Sequence, residues 1–187
     1  VTKISRNDVD AMTSAVEGSI TACSGCLEDD GRALVYTRSR TTAESLAVRL
    51  TSRGYRAGFY HAGMGDSGRK SSVRNWRDGT TRVLVCTTAF SFGVDYSSVR
   101  LVVHAGLPFS LSQYAQEVGR AGRDGLASMC NLLFPPFFST STTTEEDVVE
   151  DEEATKMLEW ARGKTLCRRL RLQLFLDGPS CLAKGPC

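Results

Sequence analysis

The sequence predicts an α/β fold built on a single parallel sheet, and three observations carry that expectation. Short apolar runs of buried-strand length recur along the 187 residues, among them Ala33-Leu34-Val35-Tyr36 and Val83-Leu84-Val85-Cys86. Segments of helical periodicity lie between them. Capping and turn residues mark the joints, as at Ser110 and Asp78-Gly79. Strands alternating with helices imply right-handed βαβ units and a sheet covered on both faces. The length suffices for one domain with a real core plus appendages.

Taken in order, residues 1–30 form an N-terminal helix and connector. Val9, Met12, Val16 and Ile20 make one helical stripe, and Ser5 with Asp8 has the spacing of a capping box. Ala33 to Tyr36 is a strand, and Thr41 to Arg53 a helix with Leu46 and Leu50 inward and Gly54 as its stop. Tyr55 to Tyr60 is the next strand. Asp66 is expected to cap a helix running to about Arg77. Arg82 to Thr87 and Val99 to His104 are strands. Ser110 with Gln113 caps the following helix, and Met129 to Phe134 is a last strand stopped by Pro135-Pro136. The α/β domain is therefore expected over 31–136. Residues 137–163 form a Ser/Thr-rich and acidic linker, read as a solvated loop entering the acidic first turn of a helix. Ala154 to Phe175 is helical with a break near Gly163, and 164–187 open a separate subdomain.

Composition excludes more than it assigns. A formal net charge of +2 is too small to argue for nucleic acid by itself, so any basic surface must be local. No apolar run is long enough to span a bilayer, and no signal peptide is evident, so an intracellular protein without membrane attachment is expected. The chain begins at Val1, which suggests a fragment or a processed product. Seven cysteines are an odd count, which favours reduced thiols or metal ligation over a disulfide framework. Cys23-Ser24-Gly25-Cys26 has ligand spacing but no second pair nearby and is read as two reduced thiols. Cys86 and Cys130, in apolar strands, are expected in the core.

The chemistry concentrates in Gln116-Glu117-Val118-Gly119-Arg120-Ala121-Gly122-Arg123-Asp124-Gly125. Arg120 and Arg123 are separated by small residues that allow close backbone packing, so both guanidiniums can be aimed at one anionic centre. Such planar, permanently charged forks grip phosphate and stabilise phosphoryl transfer. A second string, Cys86-Thr87-Thr88-Ala89-Phe90-Ser91-Phe92-Gly93-Val94-Asp95, leaves a buried strand and ends in a carboxylate. In a parallel sheet ligands bind beyond the carboxyl ends of the strands, and these motifs are expected mostly there.

Both strings resemble motifs of RecQ-like DNA helicases. That resemblance implies a RecA-like domain of the P-loop NTPase type, acting as the second motor domain of an ATP-dependent 3′–5′ DNA helicase. It implies arginine-finger roles for Arg123 and Arg120, a nucleotide-side place for Gly93, Asp95 and Gln116, and a strand contact for Thr87. DEAD-box RNA helicases generally have histidine where Gln116 stands. Ser91 stands where the family usually has glycine. Tyr36-Thr37-Arg38-Ser39-Arg40 and Tyr60-His61-Ala62-Gly63-Met64 resemble backbone-binding segments, which makes Ser39, Arg40 and His61 strand contacts. Arg69, Arg74 and Arg77 on the next helix read mainly as a solvated face.

Cys167-Arg168-Arg169, followed by Cys181 and Cys187, resembles the start of the family's zinc-binding subdomain. It implies Zn2+ held by Cys167, Cys181 and Cys187 with a fourth ligand past Cys187. No G-x-x-x-x-G-K-[ST] loop and no strand-following Asp-Glu pair is present, so ATP with Mg2+ is expected mainly on a preceding RecA-like domain. The implied partners are that domain and single-stranded or duplex DNA, in the nucleus. This chain alone is expected to be inactive. The alternatives are a non-enzymatic nucleic-acid-binding remnant of a truncated helicase gene, and an RNA helicase or chromatin-type translocase domain.

Overall fold

The computed structural model describes residues 9–27, 30–91, 96–133, 152–163 and 167–178. Five strands, β1 (Arg32–Thr37), β2 (Ala57–Tyr60), β3 (Val83–Cys86), β4 (Val99–Ala105) and β5 (Met129–Leu133), form one sheet in the order β2-β3-β1-β4-β5. Every pairing is parallel. The described helices are α1 (Val9–Ala22), α2 (Arg40–Ser52), α3 (Asp66–Asp78), α4 (Leu111–Val118), α5 (Glu152–Arg162) and α6 (Arg168–Asp177). The predicted class, an α/β fold on a parallel sheet, is the observed one.

The alternation of β1 divides the core. Ala33 and Val35 join Val85, Leu101 and Val103 on the face that takes Val16 and Ile20 of α1 and Leu46 and Leu50 of α2. Leu34 and Tyr36 join Leu84, Cys86 and Val102 on the other face, against Trp76 of α3 and Phe90. Because both faces are covered, all of β1, β3 and β4 is buried, which is why their central stretches, Ala33–Tyr36, Val83–Cys86 and Leu101–Val103, read as apolar runs.

The open edge at β2 is closed chemically. The Arg82 and Thr87 N–H groups donate to the inward carbonyls of Arg56 and Tyr60. The outward carbonyls of Ala57 and Phe59 accept from Thr51 Oγ1 at 3.3 Å and Ser72 Oγ at 2.7 Å, hydroxyls of the flanking helices. Those two carbonyls are thereby taken from any incoming strand.

Arg32 opens β1 although its side chain is buried. Its guanidinium collects the terminal carbonyls of α3, at 2.7 Å from Trp76 and 3.2 Å from Arg77, and pairs with Asp30 at 3.0 Å. Gly79 ends α3 at φ 85°, and a Cβ there would stand 2.8 Å from Arg32 Nη2. Glycine is required by both torsion and space.

Three local expectations are corrected. The N-cap of α3 is Gly65, and Asp66 sits inside the first turn, where it pairs with Arg69. An acidic first-turn residue favours the helix dipole without capping it. The second strand begins at Ala57, not Tyr55. Cys130 is exposed rather than in the core, because β5 is the other edge of the sheet. Cys86 is fully buried, as expected.

The chain divides into two compact units, with the division inside α4 between Gln116 and Glu117. The first contains the sheet, α1 to α3 and the loop from Glu117 into β5. In the second, Ser110 Oγ accepts the Gln113 N–H at 3.1 Å and Gln113 Oε1 accepts the Phe109 N–H at 3.3 Å, the reciprocal cap read from the sequence. Tyr114 packs on Trp160 of α5, with ring centroids 4.8 Å apart. The helical stretch breaks at Gly163, where Arg171 donates to the Trp160 carbonyl at 2.9 Å. A Cβ at Gly163 would fall 1.5 Å from that guanidinium, so the break and the glycine are one feature. The expected Ser5 cap, Pro135-Pro136 and most of the acidic linker lie outside the described residues.

Candidate functional site

Ser39, Arg40, His61 and Thr87 meet at the carboxyl ends of three neighbouring strands, β2, β3 and β1. Thr37 Oγ1 donates to the Ser39 carbonyl at 3.1 Å and to the Cys86 carbonyl at 3.5 Å, tying the end of β1 to the end of β3. Ser39 is the N-cap of α2, its hydroxyl accepting the Thr42 N–H at 3.0 Å. The Thr87 N–H donates to the Tyr60 carbonyl at 3.2 Å, and the Thr87 carbonyl accepts from Phe90 N at 3.0 Å, which starts the turn Thr88–Ser91.

Arg40 and His61 form one cluster around Gly63. A Cβ on Gly63 would stand 3.0 Å from Arg40 Nη1 and 3.2 Å from His61 Nδ1. The exposed guanidinium therefore lies against the loop that follows β2. His61 itself is buried. Its Nε2 is 2.8 Å from Glu44 Oε1 of α2, and its ring stacks on Phe59. Among the described residues Nδ1 is a buried polar atom with no hydrogen-bond partner.

The ten-residue string is held by different devices along its length. Glu117, 0% exposed, is 2.8 Å from His104 Nε2 of β4, and that ring stacks on Tyr36 with centroids 5.2 Å apart. Burial and the Glu117 carboxylate push the neighbouring Cys86 thiol well up, with Arg120 opposing them. Arg120 is 8% exposed. Gly122 turns the chain at φ 62° and donates its N–H to the carbonyl of Val99 at 2.9 Å. A Cβ there would stand 2.8 Å from the Leu126 carbonyl. Asp124 is gripped by both Nη atoms of Arg100, Nη1 at 2.9 Å from Oδ1. That grip holds the Asp124 carboxyl down at about 2, with the Leu126 N–H assisting. Arg123 is exposed, and its Nε donates to the Gly119 carbonyl at 3.3 Å.

The expectation that the motifs gather at the carboxyl edge is therefore corrected for this loop. Glu117 meets His104 near the carboxyl end of β4, while Gly122 reaches Val99 at its amino end. The crossover itself carries the loop to the amino end. The two arginines also differ, one buried and one exposed.

Gln116 is exposed on α4. Gly93 and Asp95 lie outside the described residues, as does the side chain of Ser91. Cys167 is an exposed thiol at the N-cap of α6, while Cys181 and Cys187 lie outside the described residues. Among the described residues no three His, Cys, Asp or Glu side chains form a metal-ligating group, and no helix is long and apolar enough to cross a membrane. Sequence reading missed Glu44, Arg100, His104, Glu117 and Asp124. Two of these stand inside the string itself, where the arginines drew the attention.

Residues 17–125 match the family described as "Helicase conserved C-terminal domain". Over 103 residues the chain is 46% identical to the ATP-dependent DNA helicase RecQ of Bacillus subtilis, covering 55% of this chain and 17% of that protein. Over 141 residues it is 37% identical to the putative ATP-dependent DNA helicase Q1 of Caenorhabditis briggsae, covering 74% of this chain and 23% of that protein. The chain thus spans less than a quarter of the length of these curated relatives. A solved structure of the C-terminal domain of the DEAD-box protein Dbp5 is similar with a TM-score of 0.60 at 20% identity, covering 94% of this chain and 82% of that one. Domain 2 of the DEAD-box helicase Mss116p bound to an RNA duplex is similar with a TM-score of 0.58 at 20% identity, covering 76% and 56%. At such identity these two likenesses show the fold alone.

Proposed function

The chain belongs to the helicase conserved C-terminal domain family and is RecQ-like, and on that premise we propose that it is the second motor domain of an ATP-dependent 3′–5′ DNA helicase. One observation carries this reading: an exposed Arg123 on a loop fixed at both sides, by Gly122 on Val99 and by Asp124 on Arg100. A guanidinium held outward on a rigid mount suits a phosphate supplied by another domain, since positioning in advance removes reorganisation at the moment of reaction.

In this reading Arg123 reaches the γ-phosphate of ATP held with Mg2+ by a preceding RecA-like domain and stabilises the charge that develops there. Arg120, buried between the string and the sheet, supports the loop and its charge. Gln116, Gly93 and Asp95 line the nucleotide side. Ser39, Arg40, His61 and Thr87 hold the DNA backbone at the carboxyl edge, where hydroxyl and guanidinium contacts position without reading sequence. Domain closure on ATP and opening after hydrolysis move the strand. Cys167, with Cys181 and Cys187, would supply thiolates to a structural zinc, which would close the segment that follows α6. The nucleus is the proposed location.

Arg123→Ala in the full-length protein tests this. ATPase activity falls about 10³-fold or more while DNA binding is kept. Wild-type turnover in that variant ends the arginine-finger reading. This chain by itself hydrolyses no ATP.

A further inference from the structure

α3 carries a feature that the strand-binding edge does not use. Its thirteen residues hold Arg69, Lys70, Arg74 and Arg77 against Asp66 and Asp78. Four cations less two anions is +2, as much net positive charge as the whole chain has. Lys70, Arg74 and Arg77 are exposed and follow one another at i, i+4 and i+7, the spacing of one helical stripe. Arg77 in the last turn suits the helix dipole and Arg74 has Asp78 four residues on, whereas Lys70 and Arg74, four apart, repel each other.

The anions, which also line the groove, offset the cations only in part and leave a net +2. Asp66 is engaged by Arg69, and Asp78 accepts the Thr80 N–H at 2.9 Å. The four cations line a groove together with Val73, with Asp66 and Asp78 at the two ends of α3, and with Tyr60, the last residue of β2. Tyr60 directly precedes His61, so the groove begins where the proposed strand-binding edge ends. A basic rim around an aromatic side chain is the make-up of a surface that follows a nucleic-acid backbone. From Lys70 to Arg77 the helix rises about 10 Å, enough to meet two or three phosphates.

We propose that the Lys70, Arg74 and Arg77 face of α3, headed by Tyr60, is a second phosphodiester-binding site, which takes DNA beyond the strand held at the carboxyl edge. This rests on the reading of the chain as a DNA motor domain. The occupant is a nucleic-acid backbone, recognised by charge and not by base.

The test measures binding of the full-length protein to a forked duplex and to a short oligothymidylate across a salt series, for wild type and for Lys70→Ala/Arg74→Ala/Arg77→Ala. On the fork, the slope of log affinity against log salt becomes shallower by about two, at roughly 0.7–0.9 for each phosphate no longer neutralised. On the short strand it is unchanged, and ATPase at saturating oligothymidylate stays within about twofold of wild type. The charge-keeping variant Lys70→Arg/Arg74→Lys/Arg77→Lys retains the wild-type slope. An unchanged slope on the fork overturns the site while leaving the motor reading intact. An equal loss on both probes also overturns it, since α3 would then belong to the first site. Wild-type protein that binds neither DNA overturns both readings.

Discussion

The chain has two histidines, and each presents Nε2 to a glutamate at 2.8 Å. The two pairs share geometry and differ in setting. At the carboxyl edge, His61 is nearly buried but the Glu44 side chain is 48% exposed. Between β4 and α4, the side chains of His104 and Glu117 are 2% and 0% exposed. Water can take over the hydrogen bond that Glu44 gives up, and no solvent reaches Glu117. Burial thus makes the same contact into a fixed joint in one place and an exchangeable one in the other. The fixed joint lies just before the loop that carries Arg120 and Arg123. The exchangeable one lies where the proposed DNA strand runs.

The largest expected effect comes from breaking the buried joint. Glu117→Ala removes the 2.8 Å contact to His104 Nε2 inside the core and lowers unfolding stability by about 3 kcal/mol, read by urea denaturation. Glu117→Gln keeps an acceptor of the same shape and recovers most of that loss. Glu44→Ala costs under about 1 kcal/mol. Equal losses at the two positions would break the comparison, because burial would then not be what separates them.

A second, smaller effect lies in the loop that the joint supports. Asp124 titrates at about 2 because Arg100 grips it, below its ordinary value of 3.8. A carboxylate with a depressed folded value stabilises above its unfolded value, and that contribution is lost as pH falls from near 4 towards 2. Asp30 and Asp78 are lowered too and share this acid limb. The difference between wild type and Asp124→Asn isolates one group. Asp124→Asn is expected to lose less stability between pH 4 and pH 2, measured by denaturant midpoint at each pH. Identical acid limbs would show that the Arg100 grip is not retained in solution.

What the sequence made legible was local or repetitive. Ala33 to Tyr36 announces a central strand because parallel strands buried on both faces need no polar alternation. Ser110 and Gln113 announce a cap because their partners lie within one turn. The unread features were long-range and polar. Arg32 meets Trp76 from 44 residues away, and Arg100 meets Asp124 from 24. Asp30 is the near partner of Arg32, but the helix-end carbonyls that take the rest of its guanidinium, and the carboxylate that takes Arg100, are brought in by folding. The arginines of the string stand out by residue type, whereas Glu117 and Asp124 are the members that fasten it. Its placement at the carboxyl edge failed for a geometric reason. The chain must get back to the amino end of the sheet before β5 can pair with β4 in parallel, and on that return Gly122 meets Val99.

The smallest effect is the most direct probe of the exchangeable pair. Glu44 places a half-exposed carboxylate beside His61, whose loop Arg40 also covers, at the edge proposed to hold a phosphate backbone. If the carboxylate only repels the strand, Glu44→Gln removes that repulsion and keeps a hydrogen-bonding group for His61. An exposed charge–charge term of about 0.2–1 kcal/mol then appears as single-strand binding tightened by about 1.4- to fivefold, more at low salt than at high. If Glu44 instead fixes the ring in the orientation the strand requires, the same substitution weakens binding and Glu44→Ala weakens it further. Glu117→Gln shifts neither affinity nor its salt dependence, since a fully buried carboxylate in a fixed joint does not face the strand. Strand affinity that responded equally at Glu44 and Glu117 would mean that both act through the fold alone, and the distinction drawn from their exposure would fail.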